Sequence, residues 1–320
     1  MFRDKIKVLG REIKRGESIS LDLDVAKLHS RHSIEVPVFI ERAEEDGPVV
    51  LFMAGVHGDE LNGVEILRRL IHNKKNRPKK GTIICMPVLN IFGFIDLSRK
   101  FPDGRDLNRV FPGSKKGSLA SQFAHKFQSE VLPDVDYAID FHTGGADREN
   151  VAQIRCVFED KEAFELAKIF NPPCILHSKP IANSIRKTFR QMGKIGLLFE
   201  GGKANSFNEE TITAGLRGIN RVLAHFDMAD LSKNDIPNEM VIIKASRWIR
   251  APYSGFFHVK IKNGEMVAKK KLMGIITDPF GEFEKKIFAP ADGFVFGLNT
   301  TAIVNKGDAL FHISTLDCPP

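Results

Sequence analysis

The sequence predicts an α/β protein: a mixed central sheet flanked by helices over residues 1–240, then a smaller all-β domain of barrel-sandwich type over residues 241–320. Three observations carry this expectation. Between about residues 35 and 240, short apolar runs alternate with amphipathic helical patterns. Beyond about residue 241 the helical period stops, and glycines recur at 255, 264, 274, 281, 293, 297 and 307 between short β-type runs. The tail also echoes itself: "APYSGFF" (251–257) is answered by "APADGFVF" (289–296), and each is followed by a second turn signal, "KNGEMV" (262–267) or "NKGDAL" (305–310).

In chain order, the first buried strand is "PVVLFMA" (48–54), an apolar run of the kind a sheet covered on both faces requires. Leu61, Val64, Leu67 and Ile71 then follow helical spacing. "TIICMPV" (82–88) is a second strand, with Cys85 as a small core residue. A loop marked by Pro102, Gly104, Pro112 and Gly113 precedes a helix over Leu119, Phe123, Phe127 and Val131. Ser118 is its N-cap, and Pro133 lies just past its end. "DYAIDF" (136–141) and "KIGLLF" (194–199) are further strands, and Asn208 opens a helix over Ile212, Leu216, Ile219, Leu223 and Phe226. In the tail, the two β-halves predict a small barrel or sandwich with pseudo-twofold symmetry, one half carrying an insertion. That tail resembles the lipoyl/biotinyl-type barrel sandwich, whose carriers hold a modifiable lysine in the hairpin between halves. Here the hairpin reads "TDPFGEFEKKIF" (277–288), with neither Met-Lys-Met nor Asp-Lys-Ala. Lys285 and Lys286 are therefore expected to stay unmodified, and the domain to be structural or to gate the substrate.

Composition narrows the class. With 42% hydrophobic and 27% charged residues, the chain of 320 reads as a soluble globular protein. No apolar run approaches the roughly 20 residues that span a bilayer, and the charged N-terminus has no signal core, so a cytoplasmic protein without membrane contact is expected. The cysteines Cys85, Cys156, Cys174 and Cys318 form no C-x-x-C pair, which speaks against a zinc ribbon or a disulfide framework. The net charge of +7 sits in scattered short lysine runs such as "HNKKNRPKK" (72–80), without interleaved stacking aromatics. Nucleic acid is therefore not an expected partner. The charge instead suits attraction of small anions, and homo-oligomerisation is left open.

The chemistry begins at "VHGDELNG" (56–63), where a strand ends and at once presents His57 and Glu60 among glycines. Read alone, this is a polar turn. Read at the carboxyl end of a strand, where open α/β sheets place ligands, it is half of a metal site. Zinc takes such donors at about 2.0–2.2 Å, and a catalytic zinc uses three protein ligands plus a water. "DYAIDFHTGG" supplies a third donor, His142, with Asp140 two residues earlier on the same strand face and able to orient the imidazole. The other eight histidines, His312 among them, lack this setting and read as surface or packing residues. "KIGLLFEGG" ends a third strand in Glu200. Alone it is an ordinary strand-end glutamate; beside a metal-bound water, in an apolar setting that raises its pKa, it is a general base. The loop "SRKFPDGRDLNRVFPG" (98–113) gathers Arg99, Arg105, Asn108 and Arg109, which suits a planar carboxylate, and one arginine could stabilise an oxyanion. The same loop also reads as a salt-bridged surface.

The order H-x-x-E, D-L-N-R, strand-end histidine, strand-end glutamate resembles the succinylglutamate desuccinylase/aspartoacylase family, of the zinc-carboxypeptidase-like superfamily. The motif match covers about residues 50–202. The resemblance implies one zinc on His57, Glu60 and His142, Glu200 as base, and Asn108 with Arg109 holding the substrate's carboxylate. It also implies an oxyanion arginine, for which Arg105 is preferred over Arg99, and a further substrate contact, Arg186, with Arg190 its rival. The expected activity is zinc-dependent deacylation of an N-acyl amino acid or related small amide. The alternatives are a carboxypeptidase on short peptides and a non-catalytic binding module.

Overall fold

Four parallel strands frame the molecule. In spatial order they are Ile195–Lys203, Tyr137–Gly144, Glu45–Ala54 and Lys80–Met86. The structure, a computed structural model, describes residues 5–315, so Cys318 lies outside the described residues. Antiparallel strands extend the sheet on both sides. Ser33–Arg42 and Ser18–Lys27 lie beyond Lys80–Met86, and Arg148–Cys156 lies beyond Ile195–Lys203. The result is the mixed sheet the sequence predicts, with thirteen strands among the described residues.

The alternation along Glu45–Ala54 explains its unbroken apolar run. Val49, Leu51 and Met53 pack on one face with Phe123 and Phe127 of helix Leu119–Glu130. Val50, Phe52 and Ala54 pack on the other with helices Leu61–His72, Lys161–Phe170 and Glu209–His225. Each such side chain contributes about 1.5–3 kcal/mol by leaving water, so a polar residue on either face would be costly. Ser118 and Asn208 cap their helices as expected, accepting from the backbone N–H of Ser121 and Thr211. Glu60 holds the N-cap position of Leu61–His72 but makes no capping bond. That forgoes about 1 kcal/mol, because its carboxylate is engaged elsewhere. No helix among the described residues is long and apolar enough to cross a membrane.

The C-terminal region is all-β, with two sheets packed over one core. Gly293–Asn299, Ala309–Ser314 and Ser246–Arg250 supply Val295 and Phe311 from one side. The sheet of Glu284–Phe288, Leu272–Thr277, Gly255–Val259 and Ile303–Val304 supplies Met273 and Ile276 from the other. The echoing segments 251–257 and 289–296 fall in different sheets, through Gly255–Val259 and Gly293–Asn299, and each half contributes strands to both. Pairing also crosses the expected boundary at residue 240: Gly293–Asn299 hydrogen-bonds Arg148–Cys156, and Val241–Ile243 pairs with Cys174–His177. The tail therefore continues the central sheet toward the site. Lys285 and Lys286 lie within an exposed strand, with the Lys285 ammonium 5.4 Å from the Tyr253 ring.

Candidate active site

The three predicted strand ends meet at one place. His57 and Glu60 leave Ala54 through a tight loop. Gly55 takes a φ of +62°, which disfavours other residues. Gly58 is needed for space, since a Cβ there would fall 1.7 Å from the Gly93 carbonyl carbon. His142 and Glu200 are direct neighbours in the parallel pairing of Tyr137–Gly144 with Ile195–Lys203.

His57, Glu60 and His142 are buried, and their ligand atoms all lie within 4.8 Å of one another. Nδ1 of His57 is 2.7 Å from one Glu60 oxygen, and Nδ1 of His142 is 2.8 Å from the other. Each imidazole has a carboxylate on its far nitrogen: Asp140 at 2.8 Å from His142 Nε2, and Asp106 at 3.1 Å from His57 Nε2. Asp140 thus takes the orienting position expected for it. Asp106, the first residue of D-L-N-R, plays the same part for His57 across a loop, which only the tertiary fold reveals.

The electrostatics of this cluster favour a central positive charge. Burial alone would push the Glu60 carboxyl up, but the two imidazoles hold it well below its usual range. Burial likewise works against charge on the imidazoles. The Glu60 carboxylate overrides it at His57, and Asp140 with Glu60 overrides it at His142, so both pKa values rise. Two imidazoles and a carboxylate, aimed at one point and each backed by a second polar partner, match the His/His/Glu donor set of catalytic zinc and its outer hydrogen bonds. The residues fit the metal.

The loop arginines separate. Arg99 lines the cleft, donating from Nε and Nη2 to Asp106 at 3.0 and 2.9 Å and from Nη1 to Glu60 at 3.2 Å. Arg105, the preferred oxyanion residue by sequence, is turned outward. Its side chain is 57% exposed, sits 3.7 Å from Asp103 and takes no part in the cleft wall. The turn at Asp103–Gly104 points it to solvent, so adjacency in sequence to D-L-N-R misleads. Asn108 is buried and accepts from the Ile185 N–H at 2.9 Å, while Arg109 reaches the cleft from the same short helix. Arg186 also lines the cleft, bonded to the Arg155 and Lys179 carbonyls and the Ser178 hydroxyl; Arg190 does not line it.

Glu200 lies on the cleft wall, but not in the apolar setting expected for it. Arg155 is 2.7 Å away and Asn150 donates at 2.9 Å, both to Oε2. The cause is strand Arg148–Cys156, whose cleft-facing side chains are polar and so left no apolar run to read.

The remaining wall comes from the tail. Trp248 and His312, cross-strand partners, stack with ring centroids 4.4 Å apart and 12° between planes. Burial pushes the His312 pKa down to about 3, with Arg155 and Arg148 adding repulsion, so its ring is neutral near pH 7. It is a packing histidine as expected, but one that packs beside the site. Arg148 covers Trp248, its guanidinium carbon 5.5 Å from the ring centroid. The cleft holds about 400 Å³, within the usual range for small-molecule sites.

Known proteins share this arrangement of chain. Residues 46–226 match the model of the succinylglutamate desuccinylase/aspartoacylase catalytic domain. The N-alpha-acetyl-L-2,4-diaminobutyric acid deacetylase of Halomonas elongata is 27% identical over 296 residues, covering 88% of this chain and 86% of that protein. A succinylglutamate desuccinylase of Pseudomonas aeruginosa is 28% identical over 211 residues, but spans only 60% of this chain and 62% of its own. Among solved structures, the product-bound ectoine utilization protein of Ruegeria pomeroyi superposes with a TM-score of 0.83 at 24% identity, covering 94% of this chain and 96% of that one. A succinylglutamate desuccinylase/aspartoacylase structure from Rhodobacter sphaeroides gives 0.80 at 23%, covering 93% and 95%. At these identities the structures speak for the fold, tail included.

Proposed function

The chain belongs to the succinylglutamate desuccinylase/aspartoacylase family, and from that premise we propose that it is a zinc-dependent amidohydrolase that removes the acyl group from a small N-acyl amino acid. The observation that carries this reading is the buried His57–Glu60–His142 cluster, with each imidazole braced by a carboxylate and Glu200 on the neighbouring strand. His57, Glu60 and His142 hold one zinc. When bound, zinc supplies a Lewis acid for the amide carbonyl and lowers the pKa of a water.

The chain's own groups do the rest. Glu200 accepts the proton of the attacking water and returns it to the departing amine. Arg155 and Asn150 both grip Oε2 and so fix the carboxylate's rotation, leaving Oε1 without either bond. Arg99 replaces Arg105 in the oxyanion role, since it touches the cluster while Arg105 does not. Arg109, with Asn108 anchoring the loop to Ile185, reads the carboxylate of the amine product. Arg186 lines the same cleft. A cleft of about 400 Å³ suits an acyl amino acid.

The test is a hydrolysis screen of N-acyl amino acids and short peptides with the zinc-loaded chain, the chelator-treated chain, and the chelated chain given zinc again. Release of free amine that follows the metal through this cycle supports the proposal. Hydrolysis indifferent to chelation, or none on any acyl amino acid, overturns it.

A further inference from the structure

Five arginines face this cleft, opposed by the carboxylates of Glu60, Asp140 and Glu200. Most are committed. Arg99 is spent on Asp106 and Glu60, Arg155 on Glu200, and Arg186 on two carbonyls and a hydroxyl. Arg109 donates to the Asn108 carbonyl and has no carboxylate partner among the described residues. Arg148 makes no side-chain hydrogen bond or ion pair among the described residues, and the face of Trp248 is what holds it. Like Arg109, it thus faces the cleft with no carboxylate partner among the described residues.

The wall beneath Arg148 fixes the position of Trp248. Trp248 pairs with His312, His312 with Gly297, and Gly297 with Asn150, in one row across the sheet. A Cβ at Gly297 would fall 2.8 Å from Asn150 Oδ1 and 3.2 Å from His312 Cβ, so glycine closes the row. Asn150 ends it on Glu200. A guanidinium over an indole face, here with its carbon 5.5 Å from the ring centroid, is attracted there without using its N–H groups on an acceptor, so they stay available for a planar anion. The neutral His312 beneath the indole adds no charge of its own.

We propose that Arg148, carried on the Trp248–His312 stack, is a specificity-determining residue that receives a second anionic group of the substrate. This rests on the deacylase reading of the cleft and deepens it. The substrate class is then an acyl amino acid with two carboxylates, one at Arg109 and one at Arg148, the second on either the amine or the acyl part. A substrate with a free ammonium in that place, such as the acetyl-diaminobutyrate named for the Halomonas elongata relative, meets like charge and is disfavoured.

Trp248 is the sole tryptophan of the chain and reports on the site directly. The zinc-loaded full chain is titrated with N-acetyl-L-alanine, N-acetyl-L-aspartate, N-succinyl-L-alanine and N-α-acetyl-L-2,4-diaminobutyrate, following Trp248 emission for binding and amine release for turnover. One of the two dicarboxylates should bind at least about tenfold more tightly than N-acetyl-L-alanine, the scale of one charge-assisted contact. The diaminobutyrate compound should bind no better than N-acetyl-L-alanine. Arg148→Gln, a change at an exposed side chain, should cut the ratio of dicarboxylate to N-acetyl-L-alanine affinity to about threefold or less, and Arg148→Lys should restore part of it. No dicarboxylate preference in wild type, a preference for the ammonium compound, or discrimination that survives Arg148→Gln overturns the proposal. Arg148-dependent binding without hydrolysis of any of the four supports the anion subsite while counting against the deacylase reading. Hydrolysis without discrimination does the reverse.

Discussion

Replacing Arg99 and Arg105 separately by alanine distinguishes two residues that sequence alone could not. Arg99 makes three charge-assisted contacts, to Asp106 at 3.0 and 2.9 Å and to Glu60 at 3.2 Å, and is part of the cleft wall. Loss of an oxyanion donor typically costs about 10²–10³ in kcat, or about 2.7–4 kcal/mol. Arg105 has one contact, 3.7 Å to Asp103, on a side chain 57% exposed. Exposed pairs of that kind are worth about 0–1 kcal/mol, less than about a fivefold change. Arg99→Ala should therefore lower kcat/KM at least about hundredfold, and Arg105→Ala by less than about fivefold. The assay is steady-state hydrolysis of the best substrate from the screen, with zinc measured in each protein so that lost metal is not mistaken for lost transition-state contact. Equal losses in the two variants, or a zinc-replete Arg99→Ala with wild-type kcat/KM, would refute the assignment of Arg99.

Glu200→Gln keeps the shape and the Asn150 contact but removes the base, so it should retain zinc and lose nearly all turnover; substantial residual activity would take the proton-transfer role from Glu200. Asp140→Asn should weaken zinc binding by about 10- to 100-fold, the usual effect of an outer partner on a metal-binding histidine, as measured by competition with a chelating dye, and an unchanged affinity would mean that Asp140 does not brace His142. His312 should confer pH-dependent stability. Its folded pKa of about 3 lies below the unfolded value near 6.5, so unfolding takes up a proton between those limits and stability falls as pH drops through that window. The slope is at most on the order of 1.4 kcal/mol per pH unit. His312→Gln, compared with wild type as metal-free protein, should flatten Tm against pH between 6 and 4, and parallel curves would place the proton uptake elsewhere.

What could be read in advance follows from where each signal lies along the chain. His57, Glu60, His142 and Glu200 each follow an apolar run and lie within two residues of a glycine, so strand, turn and functional group stand together in a few residues. The helices at 61–72, 119–130 and 209–225 were legible because each buries one stripe against the sheet. Strand Arg148–Cys156 was not. One of its faces packs Ala152, Ile154 and Cys156 into the core, while Asn150 and Arg155 engage Glu200, and the mixture hides the apolar run. The expected apolar setting of Glu200 failed for the same reason. Asp106 and Arg99 act on His57 across a loop, and Trp248 with His312 reach the cleft only because the tail's strands join the central sheet. Those placements depend on contacts between residues distant in sequence, 49 positions for His57 with Asp106 and 147 for Asn150 with Gly297, which no local pattern encodes.

The central claim is that His57, Glu60 and His142 bind one catalytic zinc, and the most direct test is metal analysis of the purified full chain alongside His57→Ala. The account predicts close to one zinc per chain in wild type and little in the variant, because removing one of three protein ligands leaves a buried carboxylate and a single imidazole to hold the ion. Full zinc occupancy in His57→Ala, or a wild-type chain that takes up no zinc when it is supplied, would contradict it.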